Sequence, residues 1–166
     1  MPLLTKDLSG DMGEYLVATD FSRPVKGRYK RPLFRPTILG GKYPTIDLII
    51  DVLAPDSKTR LGFFFVQIKS IQSCALSTPR LPVKVPRIKF NDLVDIQAPT
   101  YLVGVDIDSE TTYLVGAYRQ RSLSVSSISK SFKLKDDDVR IDLYKEVLEY
   151  WKVNSPKVKS KNFNDV

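Results

Sequence analysis

The sequence predicts a mixed α/β (α+β) domain in which helices flank a central β-sheet. Runs rich in branched aliphatic and aromatic residues, which are typical of strands, lie at 46–53, 61–71, 101–107 and 112–118. Segments with helix caps or with apolar residues at helical spacing lie at 5–22, 90–96 and 136–151. The chain has 166 residues, 42% of them apolar, which is enough for one such domain to bury a core.

The turns between these segments predict how the strands connect. Turn-forming residues at 55–58 separate the first two strands, and residues 108–111 separate the last two, so each pair is expected to form a hairpin. An aspartate at 136–138 is expected to cap the last helix. We expect a single domain over residues 1–151, followed by a basic tail at 152–166 that frays.

Composition excludes several classes of protein. The chain contains no histidine, which removes Ser-His-Asp and Cys-His catalysis and nearly every zinc site. Its single cysteine, Cys74, cannot form an internal disulfide. The longest strictly apolar run covers only 63–66, and the first residues lack an apolar leader. We therefore expect a cytoplasmic protein with no membrane partner.

Positive charge is concentrated in two stretches that contain no acidic residue. The formal net charge is +7, and 14 of the 26 basic residues lie between positions 20 and 47 or between positions 56 and 92. Prolines indicate that both stretches are largely loop or extended chain, and we expect the loops at 23–45 and 72–89 to contact phosphates. The candidate nucleic-acid-binding residues are Lys26, Arg28, Lys30, Arg31, Arg35, Lys42, Arg80, Lys84 and Arg87. The alternative interpretation is that this charge serves solubility alone.

Polar side chains interrupt the first two predicted strands. Asp47 lies among branched aliphatic residues, whereas Gln67 and Lys69 are two residues apart and therefore point to the same face. Such groups cost free energy in a core unless they pair or bind something. A carboxylate, an amide oxygen and an ammonium favour a magnesium and phosphate site, to which Glu14 of the first helix can add a second carboxylate. The alternative is a buried ion pair between Asp47 and Lys69.

Three further polar or aromatic residues are expected to lie outside the candidate site. Asp51 lies four residues after Asp47 on the same face, and we expect it to reach solvent at the strand end; the alternative is a further metal ligand. Tyr144 and Trp151 are expected to anchor the last helix in the core rather than to stack on bases.

Three motifs, in their order along the chain, resemble the PD-(D/E)XK nuclease superfamily. They are Gly-Glu-Tyr-Leu-Val-Ala at 13–18, Ile-Asp-Leu-Ile at 46–49 and Phe-Val-Gln-Ile-Lys-Ser at 65–70. Within the superfamily, the chain looks like bacterial nuclease-like domains of largely unknown role whose last motif reads Gln-x-Lys, a variant that Mrr-type restriction endonucleases also carry. The segment at 98–106 looks like the penultimate strand of that group. The resemblance covers roughly residues 8–120 and implies a restriction-endonuclease-like core.

The resemblance implies metal-dependent hydrolysis of a phosphodiester, with DNA as the substrate. It assigns Mg²⁺ or Mn²⁺ binding to Asp47, to the side-chain oxygen of Gln67, to the Ile68 carbonyl and to Glu14. Lys69 would position or help deprotonate the attacking water and offset the charge that develops on the phosphate. Gln67 is neutral where the superfamily usually has an acid, so metal binding is expected to be weaker.

The resemblance also implies a biological setting. By analogy with the superfamily, we expect a role in restriction or phage defence, within a homodimer or a larger defence complex. The alternative is a non-catalytic member that keeps the nuclease fold and only binds nucleic acid or a protein partner.

Overall fold

Helices and strands alternate along the part of the chain that the computed structural model describes, which is residues 5–27, 29–41, 43–72, 77–118 and 124–154. The helices are α1 (Lys6–Ser22), α2 (Arg87–Val94) and α3 (Asp137–Val153). The strands are β1 (Phe34–Ile38), β2 (Leu48–Leu53), β3 (Arg60–Ile71), β4 (Arg80–Leu81), β5 (Thr100–Asp106), β6 (Thr111–Gly116) and β7 (Ile128–Ser129). None of the described helices is long and apolar enough to cross a membrane.

The main sheet is mixed, in the order β1-β2-β3-β5-β6. Both expected hairpins are present, because β2 pairs antiparallel with β3 and β5 pairs antiparallel with β6. The two hairpins join through the parallel pair β3 and β5, in which Lys69 lies opposite Gly104. The prediction of an α+β domain with a mixed central sheet is therefore confirmed.

The two faces of the sheet bury different clusters of side chains. On one face, alternate residues of β2 and β3, such as Ile50 and Phe64, form a core with α1 and α3. On the other face, Leu102 of β5 packs in a second core with Phe90 and Leu93 of α2. Each fully buried side chain of this size contributes about 1.5–3 kcal/mol to folding. These cores fix α1 and α2 on opposite sides of β3.

Close packing of α1 on β3 depends on Gly13. A Cβ atom at this position would lie 2.0 Å from Ser70 Oγ and 3.6 Å from a methyl group of Ile68, whereas a Cβ atom at Gly10 would meet nothing within 4 Å. Any larger residue at position 13 must therefore displace Ser70 or the helix. Because Gly13 has no side chain, α1 approaches β3 closely, and the neighbouring residue Glu14 lies at the end of that strand.

The last helix is anchored as the sequence predicted. The Tyr144 hydroxyl is buried and donates to the Leu53 carbonyl over 2.9 Å. Trp151 Nε1 donates to the Phe63 carbonyl over 2.7 Å, and its ring packs against Gly62. The helix continues to Val153, so the expected tail boundary at 152 falls inside α3.

The stretch at 23–45, expected to be largely loop or extended chain, contains the edge strand β1 at residues 34–38, which the sequence did not predict. Phe34 fixes this strand by packing edge-to-face on the rings of Phe21 and Phe64. Pro36 is tolerated because an edge strand can leave one side of its backbone unpaired. Helix α2 also begins before the expected residue 90, since Pro86 ends the extended chain and α2 starts directly after it. Cys74 lies outside the described residues.

Candidate functional site

The sequence-predicted site residues meet in one cleft of about 270 Å³, where β2 begins and β3 ends. Asp47 directly precedes β2, while Gln67, Ile68 and Lys69 belong to β3. Glu14 reaches the cleft from α1. Four separate sequence predictions and one backbone carbonyl therefore converge on a single place.

Backbone hydrogen bonds hold Asp47 on both sides. Its N–H donates to the Val66 carbonyl, and its carbonyl accepts from the Leu39 N–H, each over 2.9 Å. The side chain then turns toward β3, where Oδ2 accepts from the backbone N–H of Ile68 over 2.5 Å and from the amide nitrogen of Gln67. The carboxylate is therefore fixed in orientation, and its position is set by the β2–β3 register.

The amide group of Gln67 is buried and connects two oxygen atoms of the cleft. Its Nε2 donates to Asp47 Oδ2 and, over 3.3 Å, to the carbonyl oxygen of Ile68. The carboxylate and the carbonyl thus converge on one amide NH₂ group, whose hydrogens carry partial positive charge. These are the same two oxygens that the nuclease resemblance assigns to a metal ion.

Both carboxyl groups of the cleft lie where the ionised form is disfavoured. Burial raises the pKa of Asp47 above its ordinary value, although the Ile68 N–H, the Lys69 ammonium, the Gln67 amide and the Lys89 ammonium counteract this. Burial also raises the pKa of Glu14, and the negative charges of Asp47 and Asp11 raise it further. A bound cation would relieve both effects, because it favours the ionised form of each group.

Lys89 belongs to this electrostatic environment, although sequence reasoning did not include it among the site residues. It lies in the first turn of α2, twenty positions after Lys69, and is exposed. Its charge lowers the pKa of Asp47, and Ile71 at the end of β3 packs against the second core to which Phe90 of α2 belongs. The only local signal was Pro86, which marks a helix start and would have placed Lys89 in a first turn.

Three of the predicted phosphate-binding arginines are held by contacts within the chain. Arg31 donates to the carbonyls of Pro32 and Leu53 and lies over the ring of Tyr144. Arg35 binds Asp51, with N···O distances of 3.3 and 2.9 Å.

Arg80 is held in the same way, on the other side of the sheet. Its guanidinium donates to the hydroxyl of Ser127 over 2.7 Å and to the Ser127 carbonyl over 2.8 Å. The remaining described candidates, Lys26, Lys30, Lys84 and Arg87, are exposed. Arg28 and Lys42 lie outside the described residues.

Asp51 departs from its predicted environment. Its side chain is only 13% exposed and pairs with Arg35 and Arg60, so the expectation that it reaches solvent at the strand end is wrong. The two arginines come from neighbouring strands, which the β2 pairings place alongside Asp51. Asp47 and Asp51 thus share a strand face but have different partners.

No protein-family model, no curated protein and no solved structure matches this chain significantly. Within the described ranges, no group of three or more His, Cys, Asp or Glu residues is placed to hold a metal ion. The interpretation of the cleft therefore depends on its own donor set, which comprises two carboxylates, one amide and one carbonyl.

Proposed function

We propose that this chain is a metal-dependent nuclease that hydrolyses DNA phosphodiester bonds, on a restriction-endonuclease-like core. The observation that carries the proposal is the meeting of Asp47, Gln67, the Ile68 carbonyl, Lys69 and Glu14 in one cleft. A purely structural ion pair between Asp47 and Lys69 would not require the second carboxylate or the buried amide. By analogy, the setting would be restriction or phage defence, in a homodimer or a larger complex.

The donor set of the cleft fits Mg²⁺ or Mn²⁺. Both ions prefer oxygen ligands, and Mg²⁺ commonly takes one or two carboxylates and keeps several waters. Asp47 Oδ2 and the Ile68 carbonyl already lie within hydrogen-bond distance of one nitrogen atom, so they converge closely enough to hold one small group. Turning the Gln67 amide would present its oxygen to the same group. When bound, the ion would polarise the phosphodiester and lower the pKa of a bound water.

The protein's own residues would supply the remaining steps. Lys69 lies beside Asp47 and would hold the scissile phosphate, where its ammonium offsets the negative charge that builds up during attack. Lys69 would also orient the attacking water. Glu14 lines the same cleft, and its carboxylate would hold the metal ion or its bound water from α1.

The test is nicking of supercoiled plasmid by the full chain with Mg²⁺ or Mn²⁺, beside a reaction containing EDTA. We expect Asp47→Asn and Lys69→Ala each to reduce the metal-dependent rate by about 100-fold or more. Asp51→Asn is the matched control, because it makes the same change on the same strand face at a residue that pairs with arginines. Cutting that persists in Asp47→Asn, or that is lost equally in Asp51→Asn, contradicts the assignment.

A second candidate function is a non-catalytic nucleic-acid-binding module on the same fold. The observation that favours it is the neutral Gln67, which leaves two carboxylates in the cleft and a lower affinity for metal. This candidate predicts no cutting of supercoiled, linear or single-stranded DNA by the unmodified chain. It also predicts DNA binding that weakens steeply with salt and is unchanged in Asp47→Asn.

A further inference from the structure

The charged side chains of α2 are arranged unfavourably with respect to the dipole of the helix. Arg87 and Lys89 lie at its N-terminal end, whereas Asp92 and Asp95 lie at its C-terminal end, which is the reverse of what the helix dipole favours. No acidic residue lies in the first turn, and the preceding Pro86 makes no side-chain cap hydrogen bond. This arrangement costs stability in the free protein, and an anionic partner would offset the cost.

The other two helices have acidic residues in their first turns. Helix α1 has Thr5 as its N-cap and Asp7 in its first turn, with no basic residue in its last turn. Helix α3 has two aspartates in its first turn and Lys152 in its last. Among the described helices, α2 is therefore distinguished by a first turn that carries basic residues and no acidic one.

An exposed apolar residue lies between the two cations. Ile88 is 76% exposed, whereas Phe90 and Leu93 on the inner side of α2 are buried in the second core. Solvent-exposed isoleucine contributes nothing to that core. Lys84, shortly before the helix, is also exposed, so residues 84–89 expose three basic side chains and the apolar Ile88.

Phe90 and Leu93 of α2 share the second core with Leu102, which lies opposite Gln67 in the β3–β5 pair. Helix α2 therefore packs on the face of the sheet that carries the Gln67 side chain, next to the candidate site. A nucleic-acid strand with a phosphate in the cleft can therefore extend over the first turn of α2. Arginine and lysine suit its phosphates, and an exposed aliphatic side chain suits the apolar parts of its bases.

We propose that the first turn of α2 is a substrate-binding surface for duplex DNA, in which Arg87 and Lys89 contact phosphates beside the cleaved bond and Ile88 contacts the bases. The proposal rests on the proposed nuclease function for the position of the cleft phosphate. It adds Ile88 and Lys89 as residues that hold the substrate, and it assigns a different role to each. The cations supply salt-dependent affinity, and the isoleucine supplies affinity that salt does not alter.

The test measures binding of the full chain to a fluorescein-labelled DNA duplex in EDTA, by fluorescence anisotropy at several salt concentrations. We expect the double variant Arg87→Gln/Lys89→Gln to bind at least 10-fold more weakly and to reduce the slope of log K against log [salt] by about 2, one per phosphate contact. We expect Ile88→Ala to bind about 3-fold to 10-fold more weakly with an unchanged slope.

Two controls match these variants. Lys145→Gln removes an exposed lysine from α3, and Val153→Ala truncates an apolar side chain that is 74% exposed, close to the value for Ile88. Both should bind as the unmodified chain does. Thermal unfolding of each variant checks folding, and removing the cations from α2 should leave the melting temperature unchanged or slightly higher.

The outcomes separate this proposal from the nuclease proposal, because binding in EDTA does not depend on cutting. If the double variant keeps the salt slope of the unmodified chain, or if Ile88→Ala binds normally, the assignment of α2 is wrong even where Asp47→Asn abolishes nicking. If no cutting occurs but the α2 variants lose binding as expected, the surface stands and the nuclease proposal fails. A loss of affinity equal to that of the controls also overturns the assignment.

Discussion

Two polar clusters lie along α1. In one, ion pairs and hydrogen bonds compensate the buried charge, whereas in the other, burial disfavours the charged forms. Near the end of the helix, Asp20 is only 2% exposed, pairs with Arg23 over 3.0 Å and accepts from the Thr112 hydroxyl over 2.6 Å. Arg140 of α3 completes this cluster, donating to the Asp20 carbonyl over 3.3 Å and pairing with Asp137. We call these residues the Asp20 cluster. It ties together α1, β6 and α3.

In the cleft, Glu14 and Asp47 are placed where burial raises the pKa of each and where the charge of Asp47 raises that of Glu14. The difference indicates that polar groups of the Asp20 cluster serve folding, whereas the cleft keeps an arrangement that folding alone would not favour. Proteins commonly retain such unfavourable arrangements at functional sites. Substitutions in the two clusters should therefore change stability in opposite directions.

The largest expected effect is the loss of the Asp20 cluster in Arg140→Met. Arg140 is 2% exposed, and its guanidinium also donates to the Leu134 carbonyl over 2.8 Å, so its removal leaves buried oxygen atoms without their donor. We expect the free energy of unfolding to fall by about 3 kcal/mol, as measured by urea denaturation. In Lys145→Met, which breaks an exposed pair with Asp142, the loss should be below about 0.5 kcal/mol. Similar losses in the two variants would contradict the comparison.

A smaller effect is expected where α1 meets β3, in Gly13→Ala. The new methyl group must displace Ser70 or move the helix, and either costs about 1–3 kcal/mol and shifts the adjacent Glu14. We expect a lower free energy of unfolding and slower plasmid nicking. Gly10→Ala makes the same change on the same helix where nothing lies within 4 Å, and should instead stabilise the protein by up to about 1 kcal/mol.

The decisive control for Gly13→Ala removes the Ser70 hydroxyl, with which the new methyl group would clash. Ser70 Oγ is buried and has no hydrogen-bond partner among the described residues, so Ser70→Ala by itself should cost little. The double variant Gly13→Ala/Ser70→Ala should recover most of the lost stability and activity. Failure of this recovery would show that position 13 acts by some route other than contact with Ser70.

The sequence predicted those elements whose local pattern agrees with their final environment. Strands β2 and β3 are rich in branched aliphatic and aromatic residues, and Asp47, Gln67 and Lys69 were recognisable because polar groups interrupt those runs. Strand β1 was missed because its short sequence contains a proline and an exposed arginine, and it is a strand through pairing with β2. Tertiary contacts override local propensity in such segments.

The partners of the basic residues could not be predicted from the sequence either. Arg31 lies 113 positions from Tyr144, with which it interacts, and Arg80 lies 47 positions from Ser127. Lys89 acts on Asp47 because α2 packs beside the end of β3. Charge counts along the chain indicate how many cations exist, but only packing decides which of them are held by other groups of the chain.

The smallest expected effect, and the most direct test of the comparison, is the pH dependence of stability at the cleft. A carboxyl group whose pKa is raised by folding holds its proton more tightly in the folded state, so the folded state loses stability as pH rises above the ordinary values of 3.8 for Asp47 and 4.5 for Glu14. Asp47→Asn/Glu14→Gln removes this loss. The free energy of unfolding of the variant minus that of the unmodified chain should therefore increase from pH 3.5 to pH 7 in urea titrations.

Asp56 provides a control of opposite sign. Hydrogen bonds from the Thr59 hydroxyl and from the backbone N–H groups of Thr59 and Lys58 lower its pKa to about 2. Its ionised form therefore stabilises the fold above its ordinary pKa of 3.8, and this contribution is lost as pH falls toward 2. For Asp56→Asn, the difference from the unmodified chain should decrease as pH rises through this range. If the cleft variant behaved in the same way, its carboxylates would be stabilising, and the cleft would belong with the Asp20 cluster.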